Sequence, residues 1–117
     1  RTTGKGSFHE VALSDAAAWL ALPRQWGMTL PKGAVGGAHA GYKIYACKNG
    51  RVAVAALESH FAKALCDAAG IKSSDVKTLF STQTHQIIAD FFGSQTRQQL
   101  EKLATDKDIP LMTLPKA

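Results

Sequence analysis

The chain has 117 residues, of which 45% are hydrophobic and 20% are charged, and its formal net charge at pH 7 is +5. This length is enough for one hydrophobic core but not for two comfortable domains, and the hydrophobic content argues against a disordered chain. The lysines and arginines are scattered singly, which is typical of a solvated mixed surface, although the positive excess also suits an anionic partner. No apolar run approaches the roughly 18 residues of a membrane span, so we expect a cytoplasmic protein.

The pattern near the start of the chain predicts one strand and one helix. Phe8 to Leu13 has the alternation of a strand. Ser14 or Asp15 then provides an N-cap for an alanine-rich helix that runs to about Leu22, and Pro23 ends it.

A glycine-rich connection follows, from Arg24 to Gly41. Pro31 and five glycines interrupt it, which predicts a long irregular segment. Long loops in compact domains are often lids or binding loops. Two interpretations stay open, a mobile lid that contains Gly36 and Gly37, or a flexible linker between domains.

The next segment has the pattern of a β-hairpin. Tyr42 to Cys47 alternates aromatic and β-branched residues, and Arg51 to Leu57 is small and apolar almost throughout, which favours a strand covered on both faces. Asn49-Gly50 between them is a strong hairpin signal because both residues tolerate a positive φ. A hairpin followed by helices is therefore predicted.

The remainder of the chain reads as helices with local start and stop signals, and then a last strand. Thr96 and Gln99 are predicted to form a capping box, in which each side chain accepts a hydrogen bond from the other residue's backbone N–H. The other predicted elements are a helix from the cap Ser59 to Ala69 that ends at Gly70, a short helix to Phe80 capped within residues 73–75, a helix from His85 to Phe92 that ends at Gly93, a helix carrying Leu100, Leu103 and Ala104, and a strand from Pro110 to Leu114.

The cysteines and histidines give little indication of chemistry. Cys47 and Cys66 lie in a predicted strand and a predicted helix without a C-x-x-C pattern, so we expect buried free thiols. The histidines have no H-x-x-x-H spacing, and no metal site is expected.

Three blocks of the chain carry the motifs of one protein family in that family's order, namely Arg1 to Trp19, Tyr42 to Phe61, and Phe92 to Leu100 with Asp108-Ile109-Pro110 after it. These blocks resemble the family III CoA-transferases, which include the α-methylacyl-CoA racemases. Tyr42 to Phe61 is similar to the family's aromatic strand, glycine turn, apolar strand ending A-[LI]-E and following Phe, with Ser59 where a proline is usual. Arg1 to Trp19 resembles the segment that precedes the small domain. Phe92 to Leu100, with Asp108-Ile109-Pro110 after it, resembles the F-x-x-R-T-R-x-x-W helix start and D-[IV]-P exit.

The resemblance implies an acyl-CoA thioester as substrate and no cofactor of the domain's own. In the racemase branch it implies that Glu58 hydrogen-bonds and orients a catalytic histidine supplied by the large domain. The alternative is that Glu58 only caps or begins a helix. Gly36-Gly37 resembles a glycine pair that precedes the first small-domain strand, near a loop that in some members closes over the active site.

We therefore expect an α/β or α+β small domain, with a short, mainly antiparallel sheet packed against helices. Residues 1–41 are interpreted as the connection from a large domain plus a glycine-rich linker, and residues 42–117 as the small domain. The large domain would supply the catalytic residues and the interlocked homodimer of full-length relatives, so we expect a fragment with little activity alone. The rival interpretation is a stand-alone, non-catalytic binding or interaction module. Nucleic-acid binding is a weaker alternative.

Overall fold

The protein's three strands form one antiparallel sheet, in a computed structural model that describes residues 3–117. The strands are β1 (Tyr42–Cys47), β2 (Gly50–Ala55) and β3 (Leu111–Leu114), and β2 lies in the centre. Val54 pairs with Lys43 on one side and with Leu111 on the other. With the helices described below, this confirms the predicted small α/β domain with an antiparallel sheet.

The hairpin turn differs from the predicted one by one residue. Cys47 pairs with Gly50, so the two turn residues are Lys48 and Asn49, and neither Asn49 nor Gly50 has a positive φ. Gly50 is needed for a different reason, because a Cβ there would lie 2.3 Å from the carbonyl oxygen of Leu114. Close approach of β3, and not turn conformation, therefore requires this glycine.

Asn49 joins the hairpin to the start of the helix Arg97–Lys107. Its Oδ1 accepts a hydrogen bond from the Arg97 amide at 2.8 Å, and its Nδ2 donates to Gln98 Oε1 at 3.2 Å. Asn49 therefore lies in the hairpin turn and also satisfies one of the free N–H groups at the start of that helix.

Four helices connect β2 to β3, namely α3 (Ser59–Ala68), α4 (Val76–Leu79), α5 (Thr82–Gly93) and α6 (Arg97–Lys107). The predicted capping box of Thr96 and Gln99 is present, and Gly70 follows α3 with a φ of 75°. The predicted cap of α3 is wrong. Glu58 is its N-cap residue and Ser59 is already helical, because the backbone leaves the extended conformation one residue earlier.

The core lies between the helices and one face of the sheet. Val52 is fully buried, together with Leu65 of α3, Ile88 and Phe92 of α5, and Leu100 of α6. The opposite, outer face is largely open within the described residues, since Arg51 and Ala55 of β2 are exposed and Ile44 and Met112 on the neighbouring strands are 55% and 69% exposed. The expectation that β2 is covered on both faces is therefore wrong, because small side chains fit an open face as well.

The segment before the sheet projects from this core. Two helices, α1 (Leu13–Leu20) and α2 (Leu22–Gln25), contain no buried residue, and the radius of gyration is 19.1 Å, against roughly 13 Å for a compact chain of this length. Residues 3–30 are called the N-terminal arm below. Its exposed large apolar side chains are Phe8, Val11, Leu13, Trp19, Leu20, Trp26, Met28 and Leu30.

Two predictions for the arm are wrong. Phe8 to Leu13 is not a strand, since no neighbouring strand satisfies its backbone groups and α1 already begins at Leu13. Ala12 is the N-cap, so Ser14 and Asp15 lie inside the first turn. The helix ends at Leu20, earlier than predicted, and Pro23 lies in the first turn of α2, where its missing N–H is tolerated. Arg1 and Thr2, the start of the first family-like block, lie outside the described residues.

Candidate functional site

The glycine-rich loop between the arm and β1 has a defined fold. It covers residues 31–41 and contains a 3₁₀ turn at Ala34–Gly36. A Cβ on Gly36 would lie 1.7 Å from the carbonyl oxygen of Leu30, and Gly37 has a φ of 101°. Neither position accepts a side chain without strain, so both glycines are needed for this loop conformation.

This loop and the outer face of the sheet enclose a cleft of about 570 Å³. Val35, Gly36 and Gly37 line it from the loop side. The strands contribute the remaining lining residues, which are Tyr42, Lys43, Ile44, Ala53, Val54 and Ala55. The cleft is thus mainly apolar: Lys43 is the one charged residue along it, and no carboxylate or imidazole belongs to the residues that line it.

The end of the loop that enters β1 is held by several hydrogen bonds. The Ala40 amide donates to the Leu79 carbonyl at 2.8 Å, and the Ala56 amide donates to the Gly41 carbonyl at 2.7 Å. The Tyr45 hydroxyl also donates to the Ala40 carbonyl at 2.8 Å. Burial raises the pKa of Tyr45 to about 12, so the hydroxyl keeps its proton at neutral pH.

Two histidines complete this anchorage. His39 is 7% exposed, and its Nδ1 accepts a hydrogen bond from the Gly41 amide at 3.0 Å. His85, on α5, lies with Nε2 at 2.8 Å from the Ala38 carbonyl oxygen and with Nδ1 at 3.4 Å from the Tyr45 hydroxyl. His39 therefore stabilises the turn within the loop, whereas His85 joins the loop to α5.

Glu58 lies apart from the cleft, at the point where the chain leaves the sheet and enters α3. It is exposed, and its carboxylate makes no capping hydrogen bond. Within residues 3–117 it has no ion-pair partner either. The structure thus places Gly36 and Gly37 at the cleft but does not bring Glu58 to its lining.

Comparison with protein families gives a match over nearly the whole chain. The sequence profile described as CoA-transferase family III matches residues 1–116. The chain belongs to the family III CoA-transferases. A search of curated proteins found no match.

Family membership explains one detail at Glu58. The residue after this glutamate is usually proline in the family pattern and is Ser59 here. Since Glu58 is the N-cap, that position is the first residue of α3, where proline is favoured because its missing N–H and fixed φ suit a helix start. Serine keeps the same helix start in this family III domain.

Sequence reasoning missed His39, His85 and Tyr45, which hold the loop of this family III domain. His39 and Tyr45 bond to groups two and five residues away, whereas His85 reaches Ala38 across 47 residues and meets the loop only through tertiary packing. His39 lies in an irregular loop, and His85 lies next to predicted core positions, so neither had a periodic or spacing signal. The glycine content of the loop was the one local indication that backbone packs closely there.

Other kinds of site receive no support from the part of the chain that the structure describes. No group of three or more His, Cys, Asp or Glu residues there is arranged to hold a metal ion. Cys47 and Cys66 are buried and unpaired, which confirms the expected free thiols. None of the helices in residues 3–117 has both the length and the apolar content to cross a membrane.

Proposed function

We propose that this domain closes over the active site of an enzyme that acts on acyl-CoA thioesters, either as a CoA-transferase or as an acyl-CoA racemase. The observation that carries this proposal is the apolar cleft between Gly36-Gly37 and the outer face of the sheet. Ligand sites are typically concave and mainly apolar with few polar groups, and the acyl chain is the apolar part of this substrate. Coenzyme A enters as part of the substrate, and no further cofactor is required.

Lys43 suits the phosphate-bearing end of an acyl-CoA substrate. Lys43 is an exposed residue of β1 beside the cleft, its Nζ lies 5.8 Å from the centre of the Tyr45 ring, and it has no acidic partner within residues 3–117. A lysine ammonium is a common partner of phosphate oxygens. In this proposal Ile44 and Val35 contact the acyl chain, and Lys43, whose side chain lies on the opposite face of the edge strand β1, favours coenzyme A phosphates that extend past that edge.

We further propose that the reacting groups come from another part of the enzyme. Transfer through an acyl anhydride needs a nucleophilic carboxylate, and racemisation needs an acid and a base next to the α-carbon. The cleft lining contains neither a carboxylate nor an imidazole. The 117-residue chain is therefore expected to show little or no turnover alone.

In this scheme Glu58 is a positioning residue. Its carboxylate is exposed and makes no hydrogen bond within the described residues, so it is free to accept one from an imidazole supplied by the large domain. Such a bond would fix the tautomer and orientation of that imidazole.

The open surfaces support a partner domain. The outer face of the sheet and the N-terminal arm both expose large apolar side chains, among them Ile44, Met112 and Trp19. Apolar surfaces of this kind mark contact regions in proteins. The large domain and the homodimer of full-length relatives are the proposed partners, and the two unpaired thiols favour a cytoplasmic setting.

The test is binding and turnover of decanoyl-CoA by the 117-residue chain. Nuclear magnetic resonance titration is expected to shift the amide signals of Gly37, Ile44 and Ala53. Ile44→Asp places a charge in the cleft and is expected to weaken binding about tenfold, the equivalent of about 1.4 kcal/mol. Met112→Asp is the matched control, because Met112 is exposed on the same face but outside the cleft.

Turnover is measured in the same samples. Exchange of the α-proton in D₂O reports racemase chemistry, and mass spectrometry of decanoyl-CoA incubated with a different free carboxylic acid reports transfer, because CoA must move to that acid while decanoate is released. Robust turnover by the isolated chain would overturn the proposal that the reacting groups come from another part of the enzyme. Absence of binding, or equal weakening by both substitutions, would count against the acyl-CoA site and favour a stand-alone interaction module.

A further inference from the structure

The anchored end of the glycine-rich loop contains a buried histidine that the proposed chemistry does not use. The ring of His39 meets that of Phe80 edge-on, with centroids 5.4 Å apart, and Nδ1 accepts the hydrogen bond from the Gly41 amide. An accepting Nδ1 has no proton, so in the neutral ring Nε2 is protonated. Gly41 permits this contact, because a Cβ there would lie 3.0 Å from Cε1 of His39 and 2.5 Å from the Ala56 carbonyl oxygen.

The groups around His39 come from three elements. Phe80, at the end of α4, is uncharged, and His85 on α5 is the ionisable neighbour that acts on His39 through space. Tyr45 of β1 is titratable and is linked to His85 and to the Ala40 carbonyl. No carboxylate within residues 3–117 forms a hydrogen bond or ion pair with His39. A positive charge on this ring would thus have no acidic partner.

We propose that His39 is a pH-sensitive positioning residue, whose neutral ring fixes the turn at residues 39–41 that leads into β1 and whose protonation releases this turn. A proton on Nδ1 turns the acceptor into a donor that faces the donating Gly41 amide at 3.0 Å. The hydrogen bond is then lost, and two N–H groups oppose each other in a buried place.

The direction of the pH effect follows from the surroundings of the ring. Burial, and to a smaller extent the neighbouring His85, lowers the pKa of His39 below its ordinary value of 6.5. The unfolded chain therefore takes up this proton at a higher pH than the folded chain. The contribution of His39 to stability is present above pH 6.5 and is lost as the pH falls from there through the folded pKa. The turn at residues 39–41 is thus fixed at neutral pH and released in acid.

The experiment follows the His39 ring and the loop in the same samples of the 117-residue chain, between about pH 7.5 and about pH 4.5. The readouts are the ring resonances of His39 and the hydrogen-exchange protection factor of the Gly41 amide, corrected for the intrinsic pH dependence of exchange. In the wild-type chain we expect this protection factor to fall at least about tenfold as His39 takes up its proton, while core amides such as that of Val52 stay protected.

Two variants separate the hydrogen bond from the packing of the ring. His39→Asn keeps an acceptor near the position of Nδ1 but cannot titrate, and it is expected to protect the Gly41 amide at both pH values. His39→Phe keeps the contact with Phe80 without an acceptor, and low protection at both pH values is expected. His60→Asn is the control, because His60 is exposed on α3 and its variant should respond to pH as the wild type does.

Three results would overturn the proposal. The first is a His39 ring that titrates without any change at Gly41, and the second is a ring that does not titrate in this range. The third is a His39→Asn variant that loses protection together with the wild type, including general unfolding of both chains at the same pH.

Discussion

The two faces of the sheet are built from the same three strands but have opposite surroundings. On the inner face, Tyr45 and Val52 are buried against α5 and α6, whereas Ile44 and Met112 on the outer face are more than half exposed. The side chains on both faces are mainly apolar. Composition therefore does not distinguish the face that stabilises the fold from the face that is available to a ligand or partner.

The largest expected effect comes from removing an inner-face contact. Phe92 is fully buried, and its ring centroid lies 5.3 Å from that of Tyr45. Phe92→Ala leaves a cavity and is expected to lower the free energy of unfolding by about 3–5 kcal/mol. Urea denaturation measures this loss. Phe8→Ala is the control on the arm, where the side chain is 88% exposed and the expected change is within about 0.5 kcal/mol. Similar losses in the two variants would contradict the assignment of the core.

A smaller effect is expected from ionising an inner-face hydroxyl. Because the pKa of Tyr45 rises from 10.0 to about 12 on folding, the unfolded chain releases this proton first. Stability is therefore full below pH 10.0 and falls as the pH rises toward about 12, by an amount on the order of 2 kcal/mol.

Urea midpoints of the wild type and of Tyr45→Phe across this alkaline range measure the Tyr45 contribution. The variant keeps the ring but has no group to ionise, so its stability should change less with pH. Parallel curves for the two proteins would show that the hydroxyl is not buried as described.

The smallest effect is expected on the outer face. Ile44→Thr retains β-branching and removes apolar surface from a side chain that is 55% exposed, so the free energy of unfolding should change by only about 0.5 kcal/mol. The same urea experiment applies. A loss of several kcal/mol would show that the outer face is covered in solution, and would remove the contrast between the two faces.

Short-range signals made much of the fold predictable from the sequence. The capping box of Thr96 and Gln99 acts across three residues, and Gly70 ends α3 through its own backbone conformation. In such cases both interacting groups lie within a few residues of each other in the chain. Family-like blocks added the order of the hairpin, the helices and the last strand.

The errors arose where a residue's surroundings come from distant parts of the chain. Gly50 was assigned to turn conformation, although the carbonyl group of Leu114 is what excludes a side chain there. Phe8 to Leu13 has the alternation of a strand but lacks a neighbouring strand. For the candidate site, glycine content and the family resemblance predict a loop that contains Gly36-Gly37, whereas the contact of His85 with Ala38 joins residues 47 positions apart, which no local pattern encodes.

The central position of β2 has a consequence for synthesis of the chain. β2 pairs with β1 across a tight turn, but its other edge pairs with Leu111–Leu114, which follows all four helices of the domain body. During translation, the hairpin and helices emerge while that edge of β2 still presents free N–H and C=O groups. Such edges are where nascent chains pair wrongly. The nascent domain therefore stays vulnerable to aggregation until residues 111–114 have left the ribosome.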